Sequence, residues 1–378
     1  MINYLEIKQK ILQNGINVLG WRTNKKYIVI ESDDWGSIRT PSKNTLMHLR
    51  KKNYPIEDCQ FTLNDSLERD KDLIALFEVL SLAKDKNGNN AVITANNIVA
   101  NPDFNKIRAN DYQSYEYELF TKTLKKYPHS SNVYSLYKKG IELGLFIPQF
   151  HGREHVNVSS WMQALKDKNP DINYGFDLEM FTFNYKKNIG CKEGFADAFS
   201  ISNKIEKEYL DSIIVDGLRI FENLWGYKSK TVIAPCYTWH SASEPTFSNK
   251  GVKSMQGMFI QHSVNWKSNK REKKYHFLGQ KSKNSNIKFL VRNCVFEPSS
   301  DLEIDWIDKC LREIEIAFKW NKPAIISSHR FNFIGTINQD LCDKNLKKLS
   351  ILLKKIILKW PDVEFISSDK LTELICVE

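Results

Sequence analysis

Two adjacent carboxylates close the run Tyr27-Ile28-Val29-Ile30-Glu31-Ser32-Asp33-Asp34-Trp35-Gly36-Ser37. Side by side at the end of an apolar stretch, two acids repel, and a cation beside them relieves the repulsion. A metal ion suits the pair, since one carboxylate can ligate while the other stays free as a base. The bland alternative is a solvated turn in which an Asp caps the next helix. His151 and His155, four apart in His151-Gly152-Arg153-Glu154-His155, add two imidazoles. With Asp34 they make a three-donor set with an open position, the pattern of a catalytic zinc or similar divalent ion. Asp33 is then placed to take a proton from water and His329 to protonate a leaving group, while backbone N–H groups near Tyr237 can hold an oxyanion. Together these roles amount to hydrolysis of an amide or ester.

Each of these residues follows a short apolar, β-rich run. Asp33 comes after Tyr27–Ile30, His151 after Leu145–Phe150, Tyr237 after Thr231–Ala234 and His329 after Ala324–Ser328. Helical periodicity fills the intervals, as in Leu73, Leu76, Phe77 and Leu80, and again over 133–143, 204–224, 302–320 and 346–358. Strands alternating with helices predict an α/β fold with a parallel sheet. In a (β/α) barrel the C-terminal strand ends share one face, so four distant clusters would meet in one bowl. The runs Tyr275–Gln280 and Ile287–Val291 flank a Lys/Ser/Asn turn and predict a solvated hairpin.

The order Asp-Asp, His-x3-His, strand-Pro-x-Tyr and Ser-x-His, with Ser327 as the serine that fits, resembles the NodB-type polysaccharide deacetylases of carbohydrate esterase family 4. The stretch Glu31–Arg39 suggests a long-chain bacterial branch of that group. The resemblance implies Asp33 as base, Asp34, His151 and His155 as ligands of a divalent ion, commonly Zn2+, and His329 as acid. It also implies a distorted (β/α) barrel, read here as one domain over 1–378 with insertions near 53–130 and 157–203. The substrate it implies is an N- or O-acetylated sugar or polysaccharide. Two departures stand out. Trp35 replaces the usual Gly, and its ring is expected to narrow the pocket or stack on a sugar. Ala234 replaces the Arg that orients the base, which leaves Arg153 or Arg330 to substitute from another direction. Tyr237 and Trp239 complete the expected substrate surface, His240 is either a supporting group or a turn residue, and Asn332 is a weaker contact. Asn265-Trp266 and Asp305-Trp306 are both available for the family's Asp/Trp motif.

Composition narrows the classes further. Lys and Arg exceed Asp and Glu by 10. That excess is spread along the chain without a nucleic-acid-binding motif, so no nucleic-acid partner is expected. The seven cysteines are scattered, with no CxxC pair, which fits reduced thiols in a cytoplasmic protein. No apolar run is long enough to span a bilayer, and charges interrupt residues 1–17, so no targeting segment is expected. Nothing in the pattern sets an oligomeric state. Two rival functions remain. His151–His155 also matches the inverted H-x-x-E-H zinc-protease motif with Glu154 as base, and the missing Arg at 234 favours a non-catalytic carbohydrate-binding relative.

Overall fold

The computed structural model describes residues 4–185, 194–268 and 270–377. Part of the 157–203 stretch, residues 186–193 with Cys191, therefore lies outside the described residues. Nine strands form one sheet: β1 (Tyr27–Trp35), β2 (Ile93–Ile98), β3 (Phe146–Gly152), β4 (Thr231–Ile233), β5 (Ser254–Gly257), β6 (Lys288–Val291), β7 (Cys294–Val295), β8 (Ala324–His329) and β9 (Glu364–Phe365). Their order is β6-β5-β4-β3-β2-β1-β8-β7, with β9 on β1, and every pairing is parallel. The expected α/β class is present as a curled half-barrel with helices packed on it. The curl is tight: edge strands β6 and β7 are joined by Arg292 and Asn293 alone. Arg292 N–H bonds to the Gly257 carbonyl at 2.8 Å while Asn293 N–H bonds to the Ile325 carbonyl at 3.1 Å, so these two residues tie the two ends of the sheet together.

Side chains alternate across a strand, and β1 uses both faces. Ile28 and Ile30 enter the main core with Leu73, Leu76 and Phe77 of the helix Asp70–Ser81. Val29, Glu31 and Asp33 face the other way. Val29 packs on Leu371 and Ile375 of the last helix, Ser368–Val377, which plugs that side. Truncating fully buried Leu371 to Ala would cost about 2–5 kcal/mol. Above the plug the interior turns polar: Ser368 Oγ donates to Glu31 at 2.6 Å, and Asn96, Gln256 and Thr231 are hydrogen-bonded in series.

Strict alternation would send Asp33 and Asp34 to opposite faces. A register shift between Ser32 and Trp35 on β2, with Asp34 in the left-handed region at φ 76°, breaks it and turns both acids toward the bowl. A second shift, opposite Asn97 and Ile98, leaves His151 as the extra residue of β3, followed by Gly152 at φ 143°. Strand β1 thus continues through the acids rather than stopping before them.

The expected solvated hairpin is only partly present. Residues 279–289 do exchange backbone bonds (Gly279 N–H to Phe289 O, 2.8 Å; Ser282 N–H to Ile287 O, 2.8 Å). However, Lys288–Val291 also belongs to the main sheet as β6, and Lys270–Tyr275 pairs antiparallel with Ile260–Asn265. Among the described residues, no helix is long and apolar enough to cross a membrane.

Candidate metal centre and acid–base pair

Asp34, His151 and His155 come together at the mouth of the sheet, their nearest donor atoms all within 4.8 Å of one another. Both imidazole Nε2 atoms lie 3.1 Å from Asp34 Oδ1. His151 Nδ1 is 3.0 Å from the Ile233 carbonyl, which can only accept, so the proton sits on Nδ1. Its Nε2 then carries a lone pair aimed at a carboxylate oxygen. A neutral ring and the carboxylate oxygen would both present lone pairs there, and a divalent cation, like a proton on Nε2, answers both, so the donor set fits a metal ion. Burial pushes the Asp34 carboxyl up, but the facing imidazoles of His155 and His151 outweigh it and hold the group well below the ordinary carboxylate range. Burial lowers His155, against the pull of Asp34. A neutral imidazole ligates, so the direction is the useful one.

Beside this set, Asp33 and His329 are direct Cα partners on β1 and β8, so strand register alone juxtaposes a carboxylate and an imidazole. Asp33 Oδ2 lies 3.7 Å from His329 Nε2. Arg292 grips Asp33 through two bonds of 2.7 Å, and Asn96 Nδ2 adds a third at 2.7 Å. Burial raises the Asp33 carboxyl, and the Arg292 guanidinium more than reverses that. The guanidinium is itself fully buried and also bonds Glu31 (2.6 Å), the Tyr237 hydroxyl (3.2 Å) and Ser327 Oγ (3.2 Å). On the other side of His329, Nδ1–H donates to Glu297 at 2.6 Å, and Asn332 Nδ2 holds the second Glu297 oxygen at 2.6 Å. Burial depresses the His329 imidazole, but Glu297 and Asp33 together lift it to about 10. Its ring is therefore cationic at neutral pH.

Arg292 and Glu297 were not read from the sequence. Arg292 makes the contact to Asp33 that neither Arg153 nor Arg330 makes, arriving from the seam between the sheet's two edges. The predicted hairpin placed its neighbourhood on the surface, which hid it. The partner of His329 is Glu297, not a residue of Asn265-Trp266 or Asp305-Trp306. Trp266 instead bonds the Ile201 carbonyl, and Asp305 caps the helix Trp306–Lys319.

The structure places several expected substrate residues elsewhere. Trp35 is fully buried, bonds Ser32 Oγ at 3.0 Å and packs edge-on to Phe146, so it has no face to offer a sugar. Trp239 is likewise buried, donating to Glu244 and stacked on His276. Arg153 is consumed by Glu154 and Asp216, and Arg330 by Asp65 and Glu68, so neither reaches Asp33. The Tyr237 ring does reach the site through Arg292. Its backbone N–H, however, is spent on the Ala234 carbonyl and is not a free oxyanion donor. Cys236 and Tyr237 are both left-handed, at φ 54° and 52°, a strain of about 1–3 kcal/mol each held by their surroundings. His240 accepts from the Ala242 N–H and stacks on Trp266, as a turn residue does, and buried Asn332 supports Glu297. Glu154, buried and paired with Arg153, is not free to serve as the base of an inverted zinc-protease motif, and His151 lies on a strand rather than a helix.

No protein-family model matches the sequence, and none of the curated proteins matches it either. Among solved structures, the chain is similar to a provisionally assigned glycoside hydrolase/deacetylase from Parabacteroides distasonis (10% identity, TM-score 0.48, covering 94% of this chain and 72% of that one). It is similar as well to a provisionally assigned polysaccharide deacetylase from Mycobacterium smegmatis (8% identity, TM-score 0.44, 95% and 93%). A third likeness is to a 4-alpha-glucanotransferase from Thermococcus litoralis (9%, TM-score 0.41, 93%), of which the chain spans 40%. All three scores fall below 0.5, so the functional reading rests on the chain's own residues.

Proposed function

We propose that the protein is a metal-dependent hydrolase that removes an acetyl or other acyl group from an N- or O-acylated sugar or polysaccharide. The reading takes 1–378 as one barrel-like domain, with walls drawn from 53–130 and 157–203. The observation that carries it is the pairing of two units at one strand end: a His-His-Asp donor set, and next to it an arginine-held carboxylate 3.7 Å from a cationic imidazole. Asp34, His151 and His155 would hold the ion, with zinc the first choice for two imidazoles and a carboxylate. When bound, a divalent ion supplies Lewis-acid polarisation of the acyl carbonyl and a more acidic water.

The chain's own groups divide the proton traffic. Asp33, kept ionised by Arg292 and aimed by Asn96, takes the proton of the attacking water. His329 Nε2–H, its charge held by Glu297, gives a proton to the departing nitrogen or oxygen. One C–N or C–O bond breaks, one C–O bond forms, and the products are a carboxylate and a sugar amine or alcohol. His329 is the least buried member, with 19% of its side chain exposed, which suits a group that must meet the leaving atom. The choice of a carbohydrate follows the order of the four sequence motifs.

The reading is tested by acetate release from acetylated oligosaccharides with metal-loaded enzyme. Asp33→Asn should abolish release while retaining metal. Loss of activity in Glu154→Gln with Asp33→Asn still active would sink it.

A further inference from the structure

Arginines in this protein are almost all answered by an acceptor. Arg69 bonds Asp72, Arg153 bonds Glu154 and Asp216, Arg292 bonds Glu31 and Asp33, and Arg330 bonds Asp65 and Glu68. Arg39 is different. It is half-buried, its Nε is shut off from solvent with no partner, and it makes no hydrogen bond or ion pair among the described residues. Leaving a desolvated guanidinium donor unmatched is costly unless something outside the chain satisfies it.

Its location says what that could be. Arg39 stands five residues beyond Asp34, in the loop between β1 and the helix Lys43–Lys51. Its guanidinium lies 5.6 Å from the centre of the Phe61 ring, and the same ring makes a T-shaped contact with the His329 ring, 5.0 Å between centroids. Phe61 thus touches both the proton donor of the reaction and an unanswered cation. Asp65 is already held through both its oxygens by Arg330.

We propose that Arg39 reads a negative charge on the substrate, a carboxylate or a phosphate carried about one sugar unit from the acyl group that is removed. This rests on the deacylation reading and narrows its substrate class to acidic glycans or sugar phosphates. A planar guanidinium matches either anion through two parallel bonds, and the partial burial of Arg39 beside an aromatic ring strengthens that match. The residue acts in binding and specificity and takes no part in moving protons.

Two substrate pairs test the proposal. One is a neutral tetramer of N-acetylglucosamine against a tetrasaccharide alternating N-acetylglucosamine with glucuronic acid. The other is N-acetylglucosamine against its 1-phosphate. For whichever anion is correct, Arg39→Gln should lower the acidic-to-neutral ratio of kcat/KM by about tenfold, chiefly through KM, and Arg39→Lys should recover part of it. The carboxylate arm responding alone identifies a uronic acid, and the phosphate arm alone a sugar phosphate. If acetate is released but Arg39→Gln leaves both ratios unmoved, the inference is overturned and the hydrolase stands. If no acylated sugar is hydrolysed, the hydrolase falls. Titration calorimetry of the acidic tetrasaccharide and the sugar phosphate, at low and high salt, then decides for Arg39. Salt-sensitive binding weakened about tenfold by Arg39→Gln supports the inference, and equal or absent binding overturns it.

Discussion

Arg292 and Arg330 are the same device used twice. Each is fully buried, and each grips two carboxylates, Glu31 and Asp33 for the first, Asp65 and Glu68 for the second. Arg330 follows His329 directly in sequence, yet it points into the wall and never meets the bowl. Arg292, 37 positions before His329, reaches Asp33 because the two edges of the sheet close on it. Burial and pairing are equal in the two places. What separates them is the second neighbour of the carboxylate: Asp33 faces an imidazole, whereas Glu68 faces the Tyr137 hydroxyl and the Gly36 N–H. A buried ion pair therefore marks a scaffold and a catalytic site alike, and only its surroundings tell them apart.

The comparison is sharpest under truncation. Arg292→Met and Arg330→Met should each lose about 3–5 kcal/mol of stability, since each leaves buried carboxylates unpaired. Activity per folded molecule should fall by more than about 100-fold for Arg292→Met and by only a few-fold for Arg330→Met, measured as kcat on fractions checked by urea unfolding. Equal losses would make Arg292 merely structural. Next in size is Asp33→Asn, expected to cost about 100- to 10,000-fold in kcat with Arg292 still seated and metal content unchanged.

Glu297→Gln probes the other flank of the bowl. The folded His329 is raised, so its proton persists past the ordinary imidazole range and is lost as pH climbs through about 10. Removing the anion at Nδ1 should bring the alkaline limb of the kcat profile to lower pH, and an unmoved limb would deny His329 the acid role. The smallest effect belongs to Trp35→Phe. It forfeits one buried hydrogen bond, about 1 kcal/mol by thermal unfolding, and should leave KM for a sugar unchanged because the ring touches none.

The legible part of the site was the part carried by residue type at short range. Asp33-Asp34 and His151-x3-His155 advertise a cation by their chemistry, and the alternation of strands with helices announces a parallel sheet. Orientation was less accessible. Trp35 looked exposed because a strand seemed to stop before the acids, whereas a bulge carries β1 past them and folds the indole into the core. Arg292 and Glu297 carry no local signature, since each owes its place to strand pairing between distant segments. The Tyr237 hydroxyl lies 3.2 Å from Arg292, but that its N–H is spent on a carbonyl three residues back has no signature in residue type.

The central claim is that Asp34, His151 and His155 hold one divalent ion beside Asp33. Elemental analysis of the purified wild type and His155→Ala, dialysed side by side, tests it most directly. The account predicts about one ion per chain in the wild type and close to none in the folded variant. A wild type without stoichiometric metal after exposure to zinc, or a variant that keeps the same content, would contradict it.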